Sequence, residues 1–215
     1  MSMLNMMLGT AITAGKLTLK EVVFNASGTF TMPSGVVNNQ IIVGCTGGGG
    51  GSLYNVDIDT YGGNGAGRVV STLTMSSGQT ATVIVGAGGL SDTSDGGTSS
   101  FTGASSCAGG ALGSYNGKTP TNGGGMGSYA NKSTATASNC PATLSLKNGA
   151  VDSTTGLWKA KSYAGGIGFS GHGGGGGGCY GVGDGTTSLS ANSGAGGLVR
   201  NGGSGKVVVW YYVYE

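Results

Sequence analysis

The sequence predicts a mainly β fold, in which a small β-sheet or sandwich framework clamps a glycine-rich bundle with long loops and almost no α-helix. The 215 residues include 50 glycines, and glycine costs about 1 kcal/mol per helix position relative to alanine. Short β-branched segments bounded by Gly, Pro or Ser are typical of strands. Such segments occur near both ends of the chain, whereas residues 87–205 contain 34 of the glycines.

The β framework is predicted over residues 17–86 and 206–214, which hold 24 of the 40 Leu, Ile, Val and Phe residues. A strand at the C-terminus needs partners, and the nearest candidates lie more than 110 residues earlier. We therefore expect the two ends of the chain to meet in one sheet. The individual strands are predicted at 17–24, 27–32, 36–45, 68–75, 79–86 and 206–214.

The C-terminal run is the strongest of these strands. On a period of two, its side chains divide between two faces of a sheet. We expect Trp210 and Tyr212 to belong to the core. One face carries Val207, Val209, Tyr211 and Val213, and the other carries Val208, Trp210, Tyr212 and Tyr214.

The glycines of residues 87–205 fall in discrete runs, and five consecutive glycines at 47–51 belong to the same set. A run without Cβ atoms can adopt polyproline-II geometry, with three residues per turn and its backbone polar groups directed outward. Several such runs can satisfy one another's hydrogen bonds only if they approach closely, which glycine permits. The sequence therefore predicts a bundle of polyglycine-II helices, framed by the β segments.

The runs are separated by polar segments predicted to be loops, and the aromatic residues concentrate there. Tyr and Trp combine an apolar face with a hydrogen-bonding group, which favours a role in binding. The alternative is that these rings pack on the glycine runs as their only bulky core. The predicted loops are Ser52–Tyr61, Leu90–Ser106, Ser114–Thr121, Ser128–Tyr163 and Thr186–Asn192. The candidate binding residues are Tyr54, Tyr61, Tyr115, Tyr129, Trp158 and Tyr163; Phe101 also lies in a predicted loop.

We expect one glycine-rich domain, 17–215, preceded by a docking arm, 1–16. The segment 128–163 is a long insertion, and its length suggests function. The arm is rich in methionine, which adapts to irregular surfaces, and no basic residue precedes its apolar stretch as in a secretory signal. No run reaches the roughly 18 apolar residues that span a bilayer. The docking residues are predicted to be Met3, Leu4, Met6, Met7 and Leu8.

Charge and motif content argue against nucleic-acid binding and catalysis. Ten basic and eight acidic residues give a net charge of +2, without the basic patch that nucleic acids require. His172 is the one histidine, and the Asp57/Asp59 and Asp92/Asp95 pairs do not match a calcium loop. No catalytic residue, metal site or cofactor is predicted. The four cysteines, which are Cys45, Cys107, Cys140 and Cys179, are compatible with two disulfides or with packed thiols.

An ordered series of motifs resembles the glycine-rich domain of bacteriophage tail-fibre and receptor-binding proteins. The resemblance covers about residues 24–212 and implies a β framework, glycine helices, and loops that contact a bacterial surface receptor. Its motifs are FNASGTFTMPSGV at 24–36, the glycines at 47–51, GQTATVIVGAGG at 78–89, DGGTSSF at 95–101 and GGSGKVVVW at 202–210. The long insertion matches no motif of this family.

These observations together predict a non-enzymatic virion protein. It would act as a tail-fibre or receptor-binding subunit whose aromatic loops contact an outer-membrane protein or a surface polysaccharide of the host. Its arm would bind other virion structural proteins, and a homotrimer is compatible with the sequence. The alternative is a capsid-decoration or tail-assembly protein that uses the same surfaces to bind other virion subunits.

Overall fold

A computed structural model describes residues 15–55, 59–113 and 201–215, and every regular element within these ranges is a β-strand. No helix in this part of the chain is long and apolar enough to cross a membrane. The strands are β1 (Leu17–Phe24), β2 (Gly28–Thr31), β3 (Val36–Thr46), β4 (Leu53–Asn55), β5 (Asp59–Tyr61), β6 (Arg68–Thr74), β7 (Thr80–Ile84), β8 (Ser100–Phe101) and β9 (Lys206–Tyr214).

The larger sheet joins the two ends of the chain. Its strand order is β1-β9-β3-β6, and all three pairings are antiparallel. β9 lies between β1 and β3, so Val209 has Val22 on one side and Val43 on the other. The expectation that the N- and C-terminal strands share one sheet is confirmed.

A smaller antiparallel sheet, in the order β2-β7-β8, packs on one face of the larger sheet. Phe30 of β2 lies between the sheets, with its ring centroid 5.8 Å from that of Phe101 and 6.4 Å from that of Tyr211. The two sheets therefore form a sandwich around one apolar core. Its fully buried members include Ile41, Val43, Cys45, Val83, Phe101, Cys107, Val207 and Val209.

The opposite face of the larger sheet carries Trp210, which the period-two pattern assigns to that face. Its indole N–H donates to the Glu21 carboxylate at 2.7 Å, and its ring lies against Gly44, where an added Cβ would be 3.0 Å from the ring. Trp210 is buried as predicted, but Tyr212 is 36% exposed, so its assignment to the core is wrong. Tyr212 lies nearer the end of the strand, where less of the protein covers this face.

β3 carries an irregularity in its pairing with β9. The register shifts between Val36 and Ile41, and Asn38 and Asn39 have φ angles of 55° and 52°. Asparagine tolerates this left-handed region better than most residues. The bulge moves the start of β3 away from regular pairing with Tyr212.

Beyond the sandwich, six glycine-rich segments lie side by side, and we call them the glycine stack. Three segments lead away from the sandwich and three lead back to it, because each is continuous with a strand or an isolated β-bridge at the same end of the sheets. At this end Thr46, the last residue of β3, pairs with both Arg68 and Lys206, which begin β6 and β9. The outgoing segments are 47–51, 86–89 and 108–113, and the returning segments are 62–65, 94–97 and 201–205.

Segment 47–51 is the centre of the stack, because it hydrogen-bonds to all five others. Its amides donate to the three returning segments, and its carbonyls accept from the other two outgoing segments. These bonds run from Gly48 N to Gly97 O (2.9 Å), Gly49 N to Gly203 O (2.8 Å), Gly50 N to Asn64 O (2.9 Å), Gly89 N to Gly49 O (2.8 Å) and Gly110 N to Gly48 O (2.8 Å).

The hydrogen bonds repeat every three residues. Gly51, three residues after Gly48, donates to the same returning segment as Gly48 and accepts from the same outgoing segment. Burial follows the same period, since Gly110 and Gly113 are buried and the two residues between them are partly exposed. Three residues per turn is the period of polyproline-II geometry.

Close approach explains why these positions are glycine. A Cβ atom on Gly48, Gly50 or Gly110 would overlap the carbonyl oxygen of Ala87, Ala111 or Asn64, respectively. The bundle predicted for 87–205 lies mainly outside the described ranges and stays a prediction there. Within the described ranges, the glycine segments form a stack joined by backbone hydrogen bonds.

Two loop predictions are wrong in part. The segment 52–61, predicted as a polar loop, contains β4 and β5, which pair as an antiparallel hairpin. The segment 90–106 contains β8, and its Phe101 is 2% exposed in the sandwich core. These three strands are each two or three residues long, too short for an alternating pattern to reveal them in the sequence.

Candidate functional site

The described part of the protein has two distinct ends along the axis of its strands. Gly15 and Glu215 lie at the ends of the larger sheet's strands that are farthest from the glycine stack. Here Lys16 N donates to Glu215 O at 2.7 Å. We call this end the base. From the rise per residue of a nine-residue strand and a five-residue polyproline-II segment, the far end of the stack is about 45 Å away.

We call that far end the tip. Each outgoing segment of the stack is followed there by a connection that leads to a returning segment. Two connections are short: the β4–β5 hairpin, 52–61, and the turn Leu90–Ser94. The third comprises residues 114–200, which follow Gly113 and precede Asn201. The tip therefore carries the hairpin, the turn and the two residues, Gly113 and Asn201, that flank residues 114–200.

The turn Leu90–Ser94 is held by its own hydrogen bonds. The amide of Leu90 donates to Ser94 Oγ at 2.9 Å, and the amide of Ser94 donates to Leu90 O at 3.1 Å. Asp92 occupies the left-handed region, with φ of 59°, and the Leu90 side chain is 53% exposed. The turn thus presents an apolar side chain on a fixed backbone.

Side-chain hydrogen bonds join the hairpin, the turn and the residues that flank the third connection. Ser52 Oγ lies 3.0 Å from Ser91 Oγ, and the amide of Ser91 donates to Asn201 Oδ1 at 2.9 Å. The amide of Leu112 donates to Asp95 Oδ1 at 2.7 Å. The points at which residues 114–200 leave and rejoin the stack are therefore fixed relative to the hairpin and the turn.

Of the candidate binding residues, only Tyr54 and Tyr61 lie in the described part of the chain. Tyr54 lies in β4, but its side chain is outside the described part. Tyr61 ends β5 and is 3% exposed, so its ring is buried and does not form part of the tip surface. Tyr115, Tyr129, Trp158 and Tyr163 lie outside the described residues.

The docking residues of the arm, which are Met3, Leu4, Met6, Met7 and Leu8, also lie outside the described residues. Gly15, the first described residue, lies at the base beside Glu215. At this end Glu215 forms an ion pair with Lys20, and the hydrogen bond from Lys20 lowers the pKa of the Glu215 carboxyl. The chain therefore enters the described part at the end opposite the tip, which is where the predicted arm would join.

The described cysteines are packed thiols. Cys45 and Cys107 are both fully buried in the sandwich core and neither forms a disulfide. Burial, with a smaller contribution from the nearby Cys107, raises the pKa of Cys45 from 9.0 to about 12. The nucleophilic form of a cysteine is the thiolate, so Cys45 is an inert core residue at neutral pH. Cys140 and Cys179 lie outside the described ranges.

The described tip residues do not assemble a metal centre or an acid–base pair. Asp95 accepts a backbone hydrogen bond, and within residues 15–55, 59–113 and 201–215 no three metal-binding side chains cluster. What the tip can do chemically is present side chains on a rigid support. Sequence reasoning missed Ser52, Ser91 and Asn201, because no motif marks polar residues that join loops distant in sequence.

No protein-family model matches the chain, and no curated protein is significantly similar to it. The class that the fold and the tip define is thus a β-sandwich that supports a glycine stack and its terminal loops.

Proposed function

We propose that this protein is a virion subunit of a bacteriophage that binds a receptor on the bacterial surface through the loops at the tip. The observation that carries the proposal is the separation of the two ends. The hairpin, the turn and both junctions of residues 114–200 lie at the tip, whereas the segment that leads to the arm joins the domain at the base.

The separation suits a two-ended adaptor. An arm that attaches at the base leaves the tip free to meet a second surface about 45 Å away. The resemblance to the glycine-rich domain of phage adhesins, stated above, assigns the same use to the loops. Tyr115, Tyr129, Trp158 and Tyr163 remain the proposed contact residues, with an outer-membrane protein or a polysaccharide as the receptor.

The glycine stack supplies the rigidity that such binding needs. Ordering a loop at the moment of binding costs free energy, so loops on a fixed support bind more tightly for the same contacts. Hydrogen bonds that link the hairpin, the turn and the residues flanking 114–200 reduce that cost. Many copies on one particle would multiply weak individual contacts into firm attachment. No bond is made or broken in this proposal, and the protein acts by binding alone.

The test is binding of the fluorescently labelled protein to a panel of bacterial strains. A variant with alanine at Tyr115, Tyr129, Trp158 and Tyr163 should lose labelling of the bound strains by at least tenfold. Ile84→Ala, which shortens an exposed apolar side chain on the sandwich, is the control and should label as the unaltered protein does. Labelling of no strain, or full labelling by the quadruple variant, would contradict the proposal.

A capsid-decoration or tail-assembly role is the second candidate. It uses the same two ends, but the partner at the tip is another virion protein. Immunogold labelling of the particle separates the candidates by location, since an adhesin lies at the outer end of the tail and a decoration protein lies on the capsid.

A further inference from the structure

The outer face of the larger sheet carries an exposed apolar patch at the base. It consists of two directly opposed pairs, Leu17 with Tyr214 and Leu19 with Tyr212. Leu17 is 49% exposed, Tyr212 36% and Tyr214 62%. Single exposed apolar residues are ordinary on a protein surface, but adjacent ones mark interaction sites. We call these four residues the base patch.

A groove adjoins the base patch at Tyr212. It has a volume of about 140 Å³ and lies between β9 and the irregular start of β3. Its walls include Asn38, Gln40 and Ile42, and it exists because the bulge at Asn38 and Asn39 interrupts regular pairing. A cavity of about 150 Å³ accommodates a benzene-sized molecule, so the groove has room for one large aliphatic side chain.

Residues 1–14 are the segment of this chain placed to cover the patch. Six of the first eight residues are Met or Leu, and methionine fits irregular apolar surfaces well. The segment continues from Gly15, which lies at the base. The groove begins three residues before Glu215, about 10 Å along the strand. Residues 9–14, when extended, span about 20 Å, which is enough to return to it.

A second copy of the protein is less suited to this position. The edge strand that borders the base patch is β1, and two β1 strands paired about their centre would oppose Lys20 with Lys20, or Glu21 with Glu21. Like charges directly opposite each other are destabilising, and charged residues of this kind protect sheet edges from pairing. A tethered segment also has an effective concentration in the millimolar range.

We propose that the base patch and its groove bind the chain's own segment Met1–Leu8. In the free protein this segment covers the base, and a neighbouring protein that binds the arm must first displace it. The inference concerns the base alone and does not depend on what the tip recognises.

Photocrosslinking tests this inference on the full chain. The photoreactive residue p-benzoylphenylalanine is incorporated in place of Leu4, the purified protein is irradiated, and crosslinked peptides in the monomer band are mapped by mass spectrometry. The expected crosslinks join position 4 to residues 37–42 or 210–214. The yield should fall at least fivefold in the double variant Tyr212→Ser, Tyr214→Ser and stay unchanged in Ile84→Ser, which alters an equally exposed residue on the other sheet.

Three results would overturn the inference. Crosslinks confined to other regions would place the segment elsewhere. Crosslinks found only in a dimer band would assign the patch to the arm of a second copy, and the absence of any protein crosslink would leave the segment without a docking surface. The map in the otherwise unaltered protein decides among them even if the double variant folds poorly.

Discussion

The sandwich and the glycine stack are two cores of one chain, and they are stabilised in different ways. In the sandwich, apolar side chains such as Phe30, Val83 and Val209 fill the space between two sheets. In the stack, the centre of the interior is backbone, and segment 47–51 is joined to its neighbours by N–H to O=C bonds. The difference shows that a chain can form an ordered interior with few side chains, provided that its backbone groups satisfy one another.

The two cores also differ in what a substitution does to them. A side-chain core loses stability when a residue is made smaller, because a cavity remains. A backbone core loses stability when a residue is made larger, because a Cβ separates the hydrogen-bonded segments. The stack also depends on the sandwich to hold its segments in place, since ordering a glycine costs more conformational entropy than ordering any other residue.

The largest effect is expected from shortening a side chain in the sandwich. Phe101→Ala should lower the free energy of unfolding by about 3–5 kcal/mol, because a buried ring packed on Phe30 is lost. Urea unfolding followed by circular dichroism measures the change. The control is Ile84→Ala in the paired strand, where an exposed side chain should cost well under half as much. Equal losses in both variants would show that Phe101 is not a core residue.

The next effect is expected from lengthening a side chain in the stack. Gly48→Ala should cost about 2–3 kcal/mol, because the added Cβ overlaps Ala87 O and weakens the two hydrogen bonds of Gly48. Gly28→Ala is the matched control, since a Cβ there meets only the Phe24 ring at 3.8 Å and should change stability by less than about 1 kcal/mol. If both variants unfold at the same urea concentration, segment 47–51 is not closely packed.

A smaller effect is expected from pH. Burial raises the pKa of Cys45 to about 12. In the native protein this thiol therefore stays protonated, while in the unfolded chain it ionises above about pH 9. Its contribution to stability is complete below pH 9 and is lost as pH rises towards 12. Between pH 9 and pH 10 the loss should be about 1 kcal/mol. The comparison is with Cys45→Ala, whose stability should decline less over that interval; identical declines would show that this thiol does not contribute.

The sequence was sufficient to predict the sandwich because its strands are long and rich in β-branched residues. β9 illustrates this, since the period of two divides its side chains between the faces that the structure shows. The same pattern overestimated the burial of Tyr212, because the period alone does not reveal where a sheet face stops being covered. β8, with two residues, offers no periodic signal at all.

The tip could be predicted only in part. The sequence identified loops at 52–61 and 90–106, but it could not show that the first of these and the start of the second meet at one end. That result depends on which segments leave the sandwich and which return, and the direction is set by pairings such as Thr46 with Arg68 and Lys206. The burial of Tyr61 depends likewise on its neighbours in space rather than in sequence.

The orientation of the protein on the proposed phage particle tests the central claim most directly. A cryo-EM map of the particle should show the sandwich held through its base, near Gly15 and Glu215, and the glycine stack directed outward with the tip exposed. The account predicts this orientation at the outer end of the tail. A tip buried against another virion protein, or a base exposed to solvent, would contradict it.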